Sequence, residues 1–302
     1  MRVTDSFRFQ VYTATLSNLK AQMDEATTEI SSGKKVLVPS DDPASFAENM
    51  QVTAEQSQNT QYGSSLNSLQ AKGAYYETSL NSIGDILTSV KQLAVQMSSS
   101  TVDASSRTAA ANEVDGYIQQ LVAVGNTKVG DTYIFGGKKS DGAAYSLDSS
   151  TTSVTFNGTN DVAKVAVTSS TTIDAGISGN SVFTGEVNGQ GVDIFATLKQ
   201  FGNDLANNDT AALATDSTNI DNCVDLNANN LAYVGTYTKN ISSLLSTNTT
   251  SDTTLTQTSS NLVDVDTAKA YSDYTTLSTA YQAALYVMSK VESLSILNYL
   301  PA

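Results

Sequence analysis

Apolar residues recur along most of the chain at alternating intervals of three and four positions. The longest series runs through Leu66, Leu69, Gly73, Tyr76, Leu80, Ile83, Leu87, Val90, Ala94 and Met97. A series sustained for more than four heptads predicts one long, packed helix. Asp42 is a suitable N-cap for this helix, and Pro43 suits its first position, where the fixed φ of proline is an advantage.

Both ends of the chain show the same spacing. The N-terminal series contains Phe9, Tyr12, Leu16, Leu19, Met23, Ala26 and Ile30, and the C-terminal series contains Val263, Thr267, Ala270, Tyr274, Leu277, Tyr281, Ala284, Met288 and Val291. Each predicts a helix of roughly 30 residues and ~45 Å, and Gly33 suits the C-cap of the first. Because each seam needs a partner of matching length, we expect an elongated out-and-back helical rod with the terminal helices paired as a coiled coil.

Shorter apolar series predict helices at about 110–124, 192–208 and 220–244, the last extending through Leu262. Helical spacing is absent between about Gly136 and Gly191, where Gly, Ser and Thr are frequent. Within this stretch VTFNGTNDVAKVAV has two strand-like runs around the turn dipeptide Asn157-Gly158, which predicts a hairpin. The chain is therefore expected to be mainly α with a small β insertion.

These elements suggest five segments. Residues 1–40 and 263–302 would form the two halves of a terminal coiled-coil domain. Residues 41–135 and 191–262 would form the two halves of a helical rod domain, and 136–190 a small β-rich outer domain. A length of 302 residues is compatible with two or three domains.

Composition argues against several functions. The chain has no His, which excludes a Ser-His-Asp nucleophile, His-liganded zinc and an imidazole base. A net charge of −14 without large Lys/Arg clusters disfavours nucleic-acid binding. The start MRVTDSFRFQ lacks an apolar stretch of signal-peptide length, and no run of ~18 apolar residues occurs, so we expect neither Sec-type export nor a membrane span.

Residues that could carry chemistry have simpler structural interpretations. Asp41-Asp42 and Asp264/Asp266 are typical of helix starts rather than of catalytic or metal-binding carboxylates. Cys223 lies on an apolar stripe and has no activating base, so it is expected to pack in the core. The segment GDTYIFGGKKSDG lacks the order of a phosphate-binding loop and suits a turn. We therefore expect no catalytic residue, cofactor or metal, and no enzymatic activity.

Four separated stretches resemble one protein family. Residues 29–48 read EISSGKKVLVPSDDPASFAE, and residues 278–300 read STAYQAALYVMSKVESLSILNYL. Between them lie NTKVGDTYIFGGKKSDGAAY at 126–145, and TFNG followed by SGNSVFTG. Together these resemble the bacterial flagellin superfamily, in the form typical of its hook-filament junction members.

The resemblance implies a structural subunit that joins the flagellar hook to the filament. It implies hook-associated protein 1 and flagellin as partners, and self-assembly in a ring of about eleven. It also implies unfolded export through the flagellar type III apparatus to the cell exterior, with an export chaperone on the C-terminal segment. Neither nucleic acid nor a membrane would be a partner.

The physical pattern itself favours an assembly surface at the termini, because Phe7, Val11, Leu285 and Val287 lie off the seam that one partner helix could cover. The candidate interface residues are Phe9, Tyr12, Leu16, Leu19, Met23, Ile30, Tyr274, Leu277, Tyr281, Met288, Val291 and Leu294. Periodicity is equally compatible with an intramolecular core at these positions. A filament flagellin and a coiled-coil surface adhesin are the alternative functions.

Overall fold

The structure is a computed structural model that describes the backbone of residues 2–139, 141–148, 151–187 and 190–297. Side chains are described within those ranges except at 2–6, 186–187, 190 and 291–297. The described helices are α1 (Arg2–Ser32), α2 (Pro43–Met97), α3 (Ala104–Gly125), α4 (Gly179–Phe183), α5 (Ile194–Ala206), α6 (Leu213–Val263) and α7 (Thr267–Leu297). The class expected from the sequence, mainly α with a small β insertion, is confirmed.

Short strands form four separate antiparallel pairs. The strands are β1 (Lys128–Val129), β2 (Thr132–Tyr133), β3 (Tyr145–Asp148), β4 (Ser153–Phe156), β5 (Lys164–Ala166), β6 (Thr172–Asp174), β7 (Thr184–Val187) and β8 (Gln190–Asp193). Each strand pairs with its sequence neighbour, in the order β1-β2, β3-β4, β5-β6 and β7-β8. The first pair precedes the predicted β segment, which began at 136.

The prediction of a hairpin at Asn157-Gly158 is wrong. β4 pairs with β3 before this dipeptide, and β5 pairs with β6 after it. A two-residue type I′ turn needs positive φ at both positions, and neither residue has it. Instead, the N–H of Asn157 donates to the Ala144 carbonyl at 2.8 Å, and the N–H of Thr159 donates to the Gly136 carbonyl at 3.1 Å. Backbone hydrogen bonds to residues 13 and 23 positions earlier in the chain therefore take the place of a hairpin turn here.

The described residues form two compact units. Unit 1 comprises residues 1–58 and 252–302, and unit 2 comprises residues 59–251. Helices α2 and α6 each contribute residues to both units.

Unit 2 contains the large buried core. Its main cluster draws on α2, α3, α5 and α6 and includes fully buried Leu87, Ile118 and Leu198. An aromatic group extends this core into the β insertion, with Tyr145 lying 5.0 Å from Phe183 between ring centroids. Cys223 is fully buried in the same cluster, as expected, and burial raises the pKa of its thiol to about 11.

The predicted helix boundaries agree with the observed capping groups. The N–H groups of Ala44 and Ser45 donate to Asp42 Oδ1 at 3.0 and 3.2 Å, which confirms the N-cap of α2. Gly33 follows α1 with a φ of 71°, the left-handed conformation expected of a C-terminal glycine. The C-terminal series included Val263, but Val263 ends α6, and Asp266 caps α7 by accepting from the N–H of Ala268 at 3.0 Å.

Candidate assembly interface

Helices α1 and α7 pack against each other within unit 1. Two small residues, Ala26 and Ala270, are buried, at 6% and 4% exposure. Most of the predicted interface residues are only half-buried: Tyr12, Leu16, Leu19, Met23, Ile30, Tyr274, Leu277, Tyr281 and Met288. One partner helix therefore covers part of each of these side chains and leaves the remainder accessible.

The other three predicted residues differ. Phe9 is 55% exposed, so the packing of α1 on α7 does not account for it. Val291 and Leu294 belong to α7, but their side chains lie outside the described residues.

Exposed apolar side chains concentrate in unit 1. Of the thirteen large apolar residues that are exposed in the described part of the chain, ten belong to this unit. They are Phe7, Phe9, Val11, Leu37, Val38, Met50, Tyr271, Leu285, Tyr286 and Val287. Both clusters of buried apolar residues found among the described side chains lie in unit 2 instead. Unit 1 thus presents apolar surface without a comparable core of its own.

The sequence indicated part of this surface. Phe7, Val11, Leu285 and Val287 were expected to lie off the α1–α7 seam, and they are exposed. Sequence reasoning missed Leu37 and Val38, which belong to the connection between α1 and α2. The signal that could have found them is an apolar run, VLV, between a helix-ending glycine and a proline.

The two connections that lead into α2 and α7 are joined by backbone hydrogen bonds. The N–H of Lys35 donates to the Val263 carbonyl at 2.8 Å, and the N–H of Val265 donates to the Gly33 carbonyl at 3.0 Å. Lys34 and Asp264 form an isolated antiparallel bridge at the same place. These bonds hold the α1–α2 connection and the α6–α7 connection together, and this positions α1 beside α7.

Adjacent aspartates fold the α1–α2 connection. Asp41 Oδ2 accepts from the N–H groups of Leu37 and Val38 at 2.9 and 3.0 Å, and these bonds to the charged form lower the pKa of Asp41. The hydroxyl of Ser45 donates to Asp42 Oδ2 at 2.6 Å and is the main cause of the lowered pKa of Asp42. The motif SDDP thus organises a loop and a helix start.

Polar pairs join α2 to α6 within unit 1. The hydroxyl of Ser259 donates to Asn49 Oδ1 at 2.7 Å, and Gln56 Nε2 donates to Thr256 Oγ1 at 3.3 Å. Such pairs fix the register of two helices while contributing less stability than apolar contacts.

The described residues offer neither a metal site nor a membrane-spanning helix. Within the described ranges, no group of three or more His, Cys, Asp or Glu side chains is placed to hold a metal ion. None of the described helices combines the length and apolar character needed to cross a membrane.

Comparison with known proteins gives consistent matches. Residues 9–140 match the bacterial flagellin N-terminal helical region, and residues 217–300 match the bacterial flagellin C-terminal helical region. Flagellar hook-associated protein 3 of Escherichia coli strain K12 is 26% identical over 98% of both chains. The protein of that name from Salmonella typhimurium is also 26% identical over 98% of both chains.

The fold has a counterpart among solved structures. A structure described as a flagellar hook-associated protein from Vibrio parahaemolyticus superposes with a TM-score of 0.65 at 19% identity. The match covers 74% of this chain and 100% of that one.

Proposed function

The chain belongs to the bacterial flagellin superfamily, a family of structural flagellar components, and from that premise we propose that it is a subunit of the hook-filament junction. Two full-length relatives named flagellar hook-associated protein 3 support this choice over a filament subunit. The role is one of assembly, in which the protein contributes surfaces rather than a catalytic group.

The observation that carries the proposal is the exposed apolar surface of unit 1. A concentration of exposed apolar side chains is typical of interaction sites, because leaving apolar surface in water is unfavourable. Burying one large apolar side chain contributes about 1.5–3 kcal/mol. Neighbouring subunits that cover several such residues at once would therefore offset the entropy lost when the helices are ordered in the assembly.

The partners follow from the family and remain part of the proposal. Hook-associated protein 1 would lie on the hook side and flagellin on the filament side. Copies of this chain would contact one another laterally in a closed ring of about eleven. Before assembly, a chaperone would bind the C-terminal segment, and the flagellar type III apparatus would export the chain to the growing tip.

Substitutions on α1 test whether the exposed residues form the interface. We expect Phe9→Asp to block incorporation into flagella, because a carboxylate would replace an apolar side chain that is 55% exposed. Gln10→Asp is the matched control, since it adds the same charge at a neighbouring exposed position. Circular dichroism of both variants should match the wild type, because neither residue is needed for the α1–α7 contact.

A second pair separates assembly from intramolecular packing. Leu19 is half-buried in the α1–α7 pair, so Leu19→Asp should disturb both the pair and incorporation, while Asn18→Asp should disturb neither. Normal flagella with Phe9→Asp would contradict the proposed interface. Loss of incorporation with Leu19→Asp alone would instead favour an intramolecular core.

Deletion of the gene tests the junction role itself. The expected phenotype is hooks without filaments, with flagellin released into the medium and attachment restored by the wild-type gene. Normal filaments on normal hooks would contradict a junction role and favour a minor flagellin or an unrelated surface protein.

A further inference from the structure

Two acidic side chains are buried together where α5 leads into α6. Asp204, near the end of α5, is 8% exposed, and Asp216, in the first turn of α6, is 3% exposed. Asp204 Oδ2 accepts a hydrogen bond from Gln200 Nε2 at 2.8 Å, whereas Asp216 Oδ2 has no hydrogen-bond partner. A buried carboxylate with an unpartnered oxygen is costly in its charged form.

The charged groups around this pair do not compensate two negative charges. Asp209, between α5 and α6, adds a further negative charge near Asp216. Arg107 of α3 is buried, but its Nη1 donates to Asn208 Oδ1 at 2.7 Å and its other nitrogens donate to carbonyls at the end of α2. The ion pairs of the described residues involve neither Asp204 nor Asp216.

We propose that Asp204 and Asp216 hold one proton between them, and that loss of this proton loosens the connection between α5 and α6. In the protonated pair, the carboxyl of Asp216 donates its proton to the carboxylate of Asp204, which leaves one charge where two would repel. The second charge appears when the proton leaves to solvent, and Asp216 Oδ2 then has no hydrogen-bond donor to stabilise it. The device is a proton-binding site in unit 2, separate from the apolar surface of unit 1.

The direction of the pH dependence follows from the protonation equilibrium. Burial, followed by the charge of Asp204, raises the pKa of Asp216 from 3.8 to about 6. Between these values the folded chain binds more protons than the unfolded chain, so the pair's contribution to stability falls as pH rises. The stability contribution is half titrated near pH 6, is lost by about pH 7, and does not change further at higher pH.

Few other groups can obscure this titration. The chain has no His, and the pKa of the buried Cys223 thiol is raised to about 11. Burial also raises the pKa of Glu29, but Glu29 belongs to unit 1. A readout confined to residues 200–216 therefore reports on the aspartate pair.

Hydrogen exchange of the full chain tests the proposal. Exchange of peptides covering 200–216 is measured by mass spectrometry from pH 5 to 7.5 and corrected for the intrinsic pH dependence of amide exchange. In the wild type, the opening equilibrium constant should increase by about fivefold from pH 5 to pH 6, reach about tenfold near pH 7 and then level off. Asp216→Asn should remove this increase, while Asp225→Asn, at an exposed position of the same helix, should retain it.

Carbon NMR of the side-chain carboxyls gives an independent readout in the full chain labelled at Asp. One carboxyl resonance should titrate near pH 6, and it should be lost in Asp216→Asn. Asp204→Asn provides a second variant in case the first alters the fold. It should lower the pKa of Asp216 toward its usual range. Titration of every Asp below pH 5, or equal pH dependence of exchange in the wild type and Asp216→Asn, would overturn the proposal.

Discussion

Removing the hydroxyl of Tyr145 should stabilise unit 2. Tyr145 is 4% exposed, and its Oη has no hydrogen-bond partner. The ring packs among Phe156, Phe183 and Phe195 at centroid distances of 5.2, 5.0 and 5.2 Å. A Cβ on Gly179 would lie 2.7 Å from this oxygen, which shows how closely the chain encloses it. Tyr145→Phe removes the buried polar group and keeps every ring contact.

The magnitude follows from the cost of an unsatisfied buried group, which is about 1–3 kcal/mol. We expect Tyr145→Phe to raise the free energy of unfolding by about 1 kcal/mol, since relaxation recovers part of the cost. For a unit of about 190 residues, that corresponds to an increase in Tm of about 2–4 °C.

Tyr76 supplies the matched control. It is 2% exposed and belongs to the same aromatic group, but its hydroxyl donates to the Ile134 carbonyl at 2.8 Å. Tyr76→Phe should therefore lower the free energy of unfolding by about 1–3 kcal/mol, because it leaves that carbonyl unpaired. Urea unfolding followed by circular dichroism compares the two variants, and destabilisation by Tyr145→Phe as large as that by Tyr76→Phe would refute the reasoning.

Three further predictions concern stability. Gly137→Ala should destabilise more than Gly130→Ala by about 1–3 kcal/mol in thermal unfolding, because both glycines have positive φ but a Cβ on Gly137 would overlap the Thr159 carbonyl; equal losses would contradict this. Arg107→Met should lower Tm, because Asn208 and the carbonyls of Met97 and Ser99 lose their donors, and an unchanged Tm would show that these bonds contribute nothing. The pKa of Asp42 is lowered, so the stabilisation of α2 by this N-cap is complete above pH 3.8 and is lost as pH falls through the lowered pKa. Asp42→Ala should therefore reduce helicity at pH 7 more than at pH 3. An equal reduction at both pH values would contradict the cap.

The helices could be predicted from the sequence because long apolar series and capping residues act locally. Asp42, Pro43 and Gly33 each determine a boundary through neighbouring backbone groups, and all three lie where they were expected. The strand pairing could not be predicted in the same way. Asn157-Gly158 is a strong local turn signal, but the N–H of Asn157 donates to the Ala144 carbonyl, and the N–H of the next residue, Thr159, donates to the Gly136 carbonyl.

The candidate interface could be predicted only in part. Three- and four-residue spacing identified the α1–α7 seam, where Leu19 and Leu277 are half-buried. It could not identify Met50 or Tyr271 as exposed, because periodicity does not show which side of a helix lacks a partner. The buried pair Asp204 and Asp216 was also missed, since two acidic residues twelve positions apart carry no local signal of burial.

Immunogold labelling of an epitope-tagged copy on intact flagella tests the central claim most directly. The tag belongs at Thr151, an exposed turn residue of unit 2 beyond the predicted interface, and motility of the tagged strain confirms function. The account predicts one compact cluster of label where the hook meets the filament. Label distributed along the whole filament would identify a filament subunit, and label over the cell surface would identify an adhesin; either result would contradict the account.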